Sequence, residues 1–429
     1  MATAASVEWP AFRVGHATHP DAHMALALAA AQVEAQAQAQ TQPWTGTGVA
    51  TPNLGWLYIT DRYVDAASTL LRELRLRWPG VAWTGCVGIG VAASGVEYFD
   101  EPALVLMLAA LPQGSFRLFN GQHPLPRGLA HTALVHADGA EADLQTLVGE
   151  LAERTDSGYL FGGLTASRGR NLQFSLPVQV ALDPEGEAAG LYEGGVSGVA
   201  FDAGLPLLSR VTQGCQPVGP VRQVTAAQNN LVLGLDGEPA LPALLADLGV
   251  TLDDPKQALP RLRATLAGLT DSRDDMLLRA GQFGADTRVR HLIGLDPLRS
   301  GVALADRVEA GMRLAFCTRN TEAARRDLVR ICAELREELC PEEGDGIASV
   351  GAGAVLRPED RVAGAIYVSC SGRGGPHFGA PSAELQLIRH ALGDVPLVGF
   401  FAGGEIARRH VYGYTGVLTL FLKRASGQG

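Results

Sequence analysis

One order of apolar runs and glycines occurs at both ends of the chain, and this recurrence limits the fold more than any other feature. Near the N-terminus, Leu54–Thr60 (LGWLYIT) reads as a strand, Asp61 as the cap of a helix over Val64–Leu76, and Trp78-Pro79-Gly80 as its stop. Val81–Cys86 is a second strand running into Gly85-Cys86-Val87-Gly88. A Gly/Ala/Ser loop leads to a third strand, Ala103–Leu111. Near the C-terminus, Gly364–Ser369 is a strand, Cys370–Gly375 a tight loop, and Ser382–Leu392 a helix ended by Gly393. Val395–Phe401 is the next strand, Gly403-Gly404-Glu405 a loop, and Gly416–Leu422 the closing strand. A partial third copy lies at Ser157–Leu164 after a helix over Asp143–Thr155, and a partial fourth at Gly311–Phe316 before a helix over Thr321–Leu339. The predicted class is α/β with mixed sheets: two similar halves, internally duplicated, built from strand–helix–strand–Gly-loop units.

Between these ends, Val178–Leu182, Gly195–Phe201, Leu207–Gln213 and Leu231–Leu235 are short strand-like runs that suit an antiparallel portion. Leu241–Leu248 and Pro255–Ala267 read as helices. Three segments follow: an N-terminal extension over 1–48, an N-terminal domain over 50–222 and a C-terminal domain over 223–424. The first is expected to be an extended lead-in to an Ala/Gln-rich helix from Asp21 to Gln42 that docks early and frays after Val33. Thr45–Gly48 serves as its linker.

With 47% hydrophobic and 19% charged residues, a sizeable core is available. A net charge of −10 argues against nucleic acid as a partner, because an acidic surface repels phosphates. The N-terminus lacks the pattern of a signal peptide, and the apolar stretch Met24–Val33 is too short for a bilayer. None of the six cysteines forms a CxxC pair. The expectation is a cytoplasmic protein with reduced thiols and no membrane insertion.

The chemistry concentrates in Cys370-Ser371-Gly372-Arg373-Gly374-Gly375. The loop follows an apolar strand, where α/β proteins place ligands. Gly372, Gly374 and Gly375 let backbone N–H groups turn toward an anion, and Arg373 offers a planar fork to a carboxylate or phosphate. The loop lacks the Gly-Lys-Ser/Thr of a phosphate-binding P-loop and the GxGxxG spacing of a dinucleotide site. Cys370 beside a cation is a candidate reactive thiol, with His377 as a base; the competing reading is a small buried hydrophobe. Gly404 and Glu405 end another strand, where the carboxylate suits an ammonium group, and Tyr414 and Thr415 add hydroxyls. Cys86 and Glu97 occupy the matching place in the N-terminal half, and Phe161–Ser167 suits another cleft wall. His16, His19 and His23 have no acidic or thiol companions, and no metal or cofactor is expected. Arg325, Arg326 and Arg330 mark a solvated helix face.

The stretches WTGCVGIGVAASGVEYFDEPALVLMLA (Trp83–Ala109), YLFGGLTASR (Tyr159–Arg168), TQGCQPVGPVRQVTA (Thr212–Ala226), LGLDGEPAL (Leu233–Leu241), VSCSGRGG (Val368–Gly375) and VGFFAGGEIARRHVYGYTGVLTLF (Val398–Phe421) resemble the FIST family. The resemblance implies an N-terminal and a C-terminal FIST domain, a role in sensing small ligands such as amino acids, and an output passed to a signalling partner protein. The family has no settled catalytic residues to transfer. The site expected from local chemistry is therefore Cys370, Gly372, Arg373, Gly374, Gly375, Gly404, Glu405, Tyr414 and Thr415, arranged to hold an amino acid or a small carboxylate. Two other readings stay open: a thiol-dependent enzyme using Cys370, and a protein-interaction adaptor working through its N-terminal helix. Oligomeric state is not fixed by these residues.

Overall fold

The computed structural model describes residues 12–39, 51–179, 190–271, 287–340 and 357–423. It divides into two compact units, one of residues 1–211, 328–411 and 416–429, the other of residues 212–327 and 412–415.

The first unit contains one arrangement three times. Its first copy runs β1 (Phe12–Thr18), α1 (Ala22–Ala39), β2 (Leu54–Thr60), α2 (Ala67–Arg77), β3 (Ala82–Gly88), the hairpin β4 (Gly90–Ala93) and β5 (Val96–Phe99), and β6 (Ala103–Ala109). Its second runs β7 (Phe116–Phe119), β8 (Thr132–Ala137), α3 (Leu144–Ala152), β9 (Tyr159–Leu164), β10 (Gln173–Leu176), β11 (Leu191–Tyr192) and β12 (Val196–Phe201). The third opens with β13 (Leu207–Gln213), and the second unit is then inserted into its sequence. That insertion comprises β14 (Cys215–Pro217), β15 (Arg222–Gln228), β16 (Leu231–Leu235), β17 (Glu238–Pro239), α4 (Ala240–Leu248), α5 (Pro255–Ala264), β18 (Thr265–Thr270), β19 (Arg288–Asp296), β20 (Gly301–Leu304) and β21 (Arg313–Arg319). After α6 (Thr321–Leu339) and α7 (Pro358–Arg361), the third copy resumes with β22 (Val362–Cys370), α8 (Ala383–Leu392), β23 (Leu397–Ala402), the pair β24 (Glu405–Arg408) and β25 (His410–Tyr412), and β26 (Thr415–Leu422).

Each copy organises a six-stranded sheet, and the orders correspond: β1-β6-β2-β3-β10-β11, β7-β12-β8-β9-β24-β25 and β13-β26-β22-β23-β4-β5. In every sheet the two strands joined by a helix are parallel, and the strand that follows returns antiparallel. The last two strands of each sheet always come from another copy. The first copy lends β4–β5 to the third, the third lends β24–β25 to the second, and the second lends β10–β11 to the first. The partial third copy read at Ser157–Leu164 is thus a full repeat.

A glycine recurs at one position in each parallel pair. Gly85, Gly162 and Gly399 lie opposite Leu57, Val135 and Tyr367. A Cβ at these glycines would fall 1.8, 2.0 and 1.7 Å from the facing carbonyl oxygens, so no side chain fits. Helices cover the outer faces: Leu70, Leu71 and Leu74 of α2 pack with Leu57, Ile59 and Phe174, and Val148 and Leu151 of α3 with Val135 and Leu160. The inner faces meet in layers that draw on all three sheets. Tyr58, His136 and Phe400 form one, with ring centroids 5.0–5.8 Å apart. Trp56, Phe201 and Phe421 form another, Phe421 lying 5.6 Å from Trp56 and 5.5 Å from Phe201. Burial lowers the His136 pKa to about 3, so the ring is neutral, and the Tyr58 hydroxyl meets its Nε2 at 3.2 Å.

In the second unit, β18 pairs with both β19 and β21, and antiparallel pairing through β15, β16 and β20 closes the ring of strands. Leu241 and Leu244 of α4 join its core with Leu269, Leu304 and Phe316.

Several expectations need correction. The lead-in contains β1, paired residue for residue with β6, and α1 continues to Ala39 instead of fraying after Val33. A Cβ on Gly15 would lie 2.0 Å from the Ala29 carbonyl oxygen, so the helix sits directly on the strand. Gln32 and Gln36 fasten it to the backbone of His16 and Val14. Asp21 does cap it, accepting from the amides of His23 and Met24. Asp61 opens a 3-10 turn, and the α-helix begins only at Ala67. The helix read over Pro255–Ala267 stops at Ala264, because Thr265–Thr270 is a fully buried strand. The strand near Val178–Leu182 lies earlier, at Gln173–Leu176, and 180–182 fall outside the described residues, as does the linker Thr45–Gly48. The partial fourth copy is no parallel unit, since β21 pairs antiparallel with β18. No helix among the described residues is long and apolar enough to cross a membrane.

The repeated glycine gives a direct test. Gly399→Ala is expected to destabilise by about 3 kcal/mol, because a methyl group cannot share space with a backbone oxygen. Gly80→Ala, where nothing lies within 4 Å, is expected to change stability by less than about 1 kcal/mol. Urea unfolding of both variants decides; equal midpoints would remove the steric account.

Candidate functional site

All nine residues of β22 are buried, and the strand delivers its chain end to a pair of short 3-10 turns, Ser371–Arg373 and Gly375–Phe378. Cys370 is in register with Ala402, so the Gly-rich loop after β22 lies beside the turn after β23, which leads through Gly404 into Glu405, read as a loop residue but placed at the start of β24. The structure thereby brings Cys370, Gly372, Arg373, Gly374, Gly375, Gly404 and Glu405 into one neighbourhood of the first unit. Tyr414 and Thr415 belong to the second unit, where the Tyr414 hydroxyl bonds His291 Nε2 at 2.8 Å, Arg319 stacks over the Tyr414 ring, and Thr415 is fully buried.

Arg373 is only 1% exposed. Its Nε donates to Glu384 Oε1 at 2.9 Å, its Nη2 reaches the same oxygen, and its guanidinium sits 5.0 Å from the Phe378 ring centre. Glu384 also accepts from the Tyr367 hydroxyl at 2.6 Å and from Ser369 Oγ at 2.9 Å. Charges this deep persist only when paired and hydrogen-bonded, and this pair is both. Burial alone would lower the Arg373 pKa; the carboxylate of Glu384, with Tyr367 and Glu405, outweighs it and raises the pKa. The fork that the sequence reading offered to a ligand is therefore turned onto an internal carboxylate.

Two more carboxylates complete the cluster. Glu405 is fully buried at the start of β24 and acts on Arg373 electrostatically. Glu97 arrives on β5, the hairpin lent by the first copy, and accepts the Gly375 amide at 3.0 Å and the Ser382 amide. Its own amide donates to Ser382 Oγ, and Gln386 of α8 donates to the carbonyl of Gly95 in the same hairpin. Burial lifts the Glu97 carboxyl to about 7, assisted by Glu384 and opposed by the two amides.

Glu384 had no place in the sequence reading. Its signal was present: Glu384, Ile388 and Leu392 share one face of α8, and an acid on an apolar face needs a partner. Glu97, read there as the matching position of the N-terminal half, lies inside the cluster. Cys370 is 8% exposed, and His377, half-buried, packs its ring against Phe378. Burial pushes the Cys86 and Cys317 thiols up, and that of Cys332 to about 12. His16 bonds the Tyr98 hydroxyl, His19 the backbone of Asp21, and His23 Glu73. No group of three metal-ligating side chains occurs among the described residues.

Removing Glu384 leaves a buried guanidinium without its main partner, and Glu384→Ala is expected to cost about 3–5 kcal/mol in urea unfolding. A cost below about 1 kcal/mol would show that the pair is not closed in solution. The folded-state pKa of Glu97 is raised above its ordinary value of 4.5. The native state therefore holds this proton more tightly than the unfolded chain. Its contribution to stability is full below pH 4.5 and is lost as pH rises through about 7. Glu97→Gln is expected to flatten that decline; an unchanged pH profile would assign it to other groups.

Comparison with known proteins adds a family to this geometry. A FIST N domain matches residues 53–238 and a FIST C domain residues 240–408. An uncharacterized protein of Mycobacterium tuberculosis is 26% identical over 399 residues, covering 87% of this chain and 92% of its own length. An uncharacterized protein of Mycobacterium bovis is 27% identical over 380 residues, covering 85% and 88%. With its two matches in tandem over most of its length, the chain belongs to the FIST family, whose domains are associated with sensing small ligands in signal transduction.

Proposed function

We propose that this protein is a cytoplasmic sensor of a small ammonium-bearing ligand, an amino acid, held at the loops after β22 and β23 and reported to a partner protein. The observation that carries the reading is a cluster of buried carboxyl groups: Glu384 and Glu405 act on the guanidinium of Arg373, and Glu97 lies close enough to Glu384 to feel its charge. Gathering acids in a buried place is costly, and a cationic guest would offset that cost. Stability alone does not call for it. The corresponding loops after β2 and β8 carry Asp61 and Asp138 beside Arg168 and Asn171, and Arg168 is 49% exposed. The guest's ammonium would lie against Glu405 and Glu97. Its carboxylate would take over the Gly375 amide from Glu97, while Glu384 keeps Arg373 in place. Gly372, Gly374 and Gly375 are half-exposed and give access.

The test is a thermal-shift and calorimetric screen of amino acids beside the matching amines and the matching carboxylates. A ligand at 100 times its Kd stabilises by about 2.7 kcal/mol, a shift of a few degrees. The expected result is binding by an amino acid or its amine that falls at least about tenfold in Glu405→Gln, a change that keeps shape and removes charge. Binding by carboxylates alone, or affinity indifferent to Glu405→Gln, would overturn the reading.

A further inference from the structure

A cavity lies away from the charged cluster, at the amino ends of β8 and β9, where they face β13 and β26. Phe201 and Phe421 close one layer of this junction at 5.5 Å. Two residues earlier on β26, on the same face, stands Thr419. Here the aromatic filling stops, leaving about 220 Å³ lined by Thr132, Tyr159, Phe161, Leu207, Ser209 and Thr419, among others. That is the liquid volume of roughly seven waters, room for a molecule on the order of ten non-hydrogen atoms.

The lining is mostly hydroxylated: no Asp, Glu, Lys or Arg is among the residues that line the cavity, and His131 stands at its exposed rim. Nearby Arg210 is neutralised by Glu334 at 3.7 Å and by Glu338. The Tyr159 hydroxyl donates to Ser209 Oγ at 3.1 Å, and Ser209 and Thr419 bond each other at 2.9 Å. Thr132 Oγ1 donates its hydrogen to the Tyr159 carbonyl at 2.7 Å. A hydroxyl has one hydrogen and two lone pairs. With most hydrogens spent within the wall, the unused capacity is largely acceptor. Burial raises the Tyr159 pKa, so the phenol keeps its proton. Phe161 and Leu207 offer an apolar surface opposite this row. A charged guest would find no carboxylate, lysine or arginine in the wall to pair with, and a purely apolar one would strand the hydroxyls.

We infer that this cavity is a second binding site, for a small neutral polyhydroxylated molecule, a polyol or monosaccharide. The guest donates hydroxyl hydrogens to Tyr159, Ser209 and Thr419 and rests its carbon face on Phe161 and Leu207. The full chain is titrated by calorimetry and saturation-transfer NMR with glycerol, D-ribose, D-glucose and myo-inositol, beside acetate, phosphate and methylammonium. At least one polyol or sugar is expected to bind and to weaken about tenfold in Ser209→Ala, the loss expected for about one hydrogen bond. Leu207→Trp, which fills the cavity from a half-buried position, is expected to abolish it. Ser209→Ala changes little volume and keeps the test valid if Leu207→Trp does not fold. No binding by the neutral probes, binding that persists in folded Leu207→Trp, or preference for a charged probe would overturn the inference.

Discussion

The carbonyl oxygens of Leu57, Val135 and Tyr367 each press against a glycine on the neighbouring parallel strand, and the first unit is built around that contact. A Cβ would stand inside bonding distance of the oxygen, so the parallel pair can close only where the residue is glycine. The residue after each carbonyl bearer, Tyr58, His136 or Val368, points to the other face of its sheet. Tyr58 and His136 meet there with Phe400. Helices on the outer faces and aromatic layers on the inner faces are thus two sides of one register, fixed by one glycine per sheet.

The exchange of strand pairs gives the charged cluster its composition. Arg373, Glu384 and Glu405 belong to the third copy, whereas Glu97 is carried by the hairpin of the first. Each helix clasps the pair lent to its sheet. Arg75 of α2 reaches carbonyls at and just beyond the end of β10, Gln145 of α3 holds the turn of β24–β25 at Arg409 and Val411, and Gln386 of α8 holds Gly95. In two clasps neutral or cationic side chains bind backbone. In the third the helix side chain is neutral too, but the lent hairpin adds Glu97, whose carboxyl accepts the Gly375 amide beside the Arg373–Glu384 pair, and that addition separates a structural joint from a candidate site.

Much of this frame was legible in the chain. Parallel strands buried on both faces read as continuous apolar runs, which is why Leu54–Thr60 matches the structure at both ends; Leu207–Gln213 and Leu231–Leu235 match too, as short strand-like runs set between turn residues. Strand β1 was not legible, because FRVGHAT mixes His16 and Arg13 with small residues and its pairing partner β6 is distant in sequence. The second repeat looked partial because its lent strands β10 and β11 are short and β11 has two residues. At the site, the loop residues announced themselves through glycine and charge. Glu384 was hidden because helix propensity accounts for a glutamate equally well in water or in a core. The cavity under Phe161 depends on what Leu207, Ser209 and Thr419 leave empty, and no local pattern encodes a void.

The second unit interrupts the third copy between β13 and β22. In a chain emerging from the ribosome, β13 therefore appears long before β26, the strand it must pair with. The first sheet acquires its borrowed β10 and β11 early, while the other two stay open until the C-terminal segment is made. Until then β4–β5 and β9 present unpaired edges, the kind of surface on which nascent chains associate wrongly. The inserted unit sets the length of that wait, because its residues must be made before β22 to β26 can complete the threefold frame.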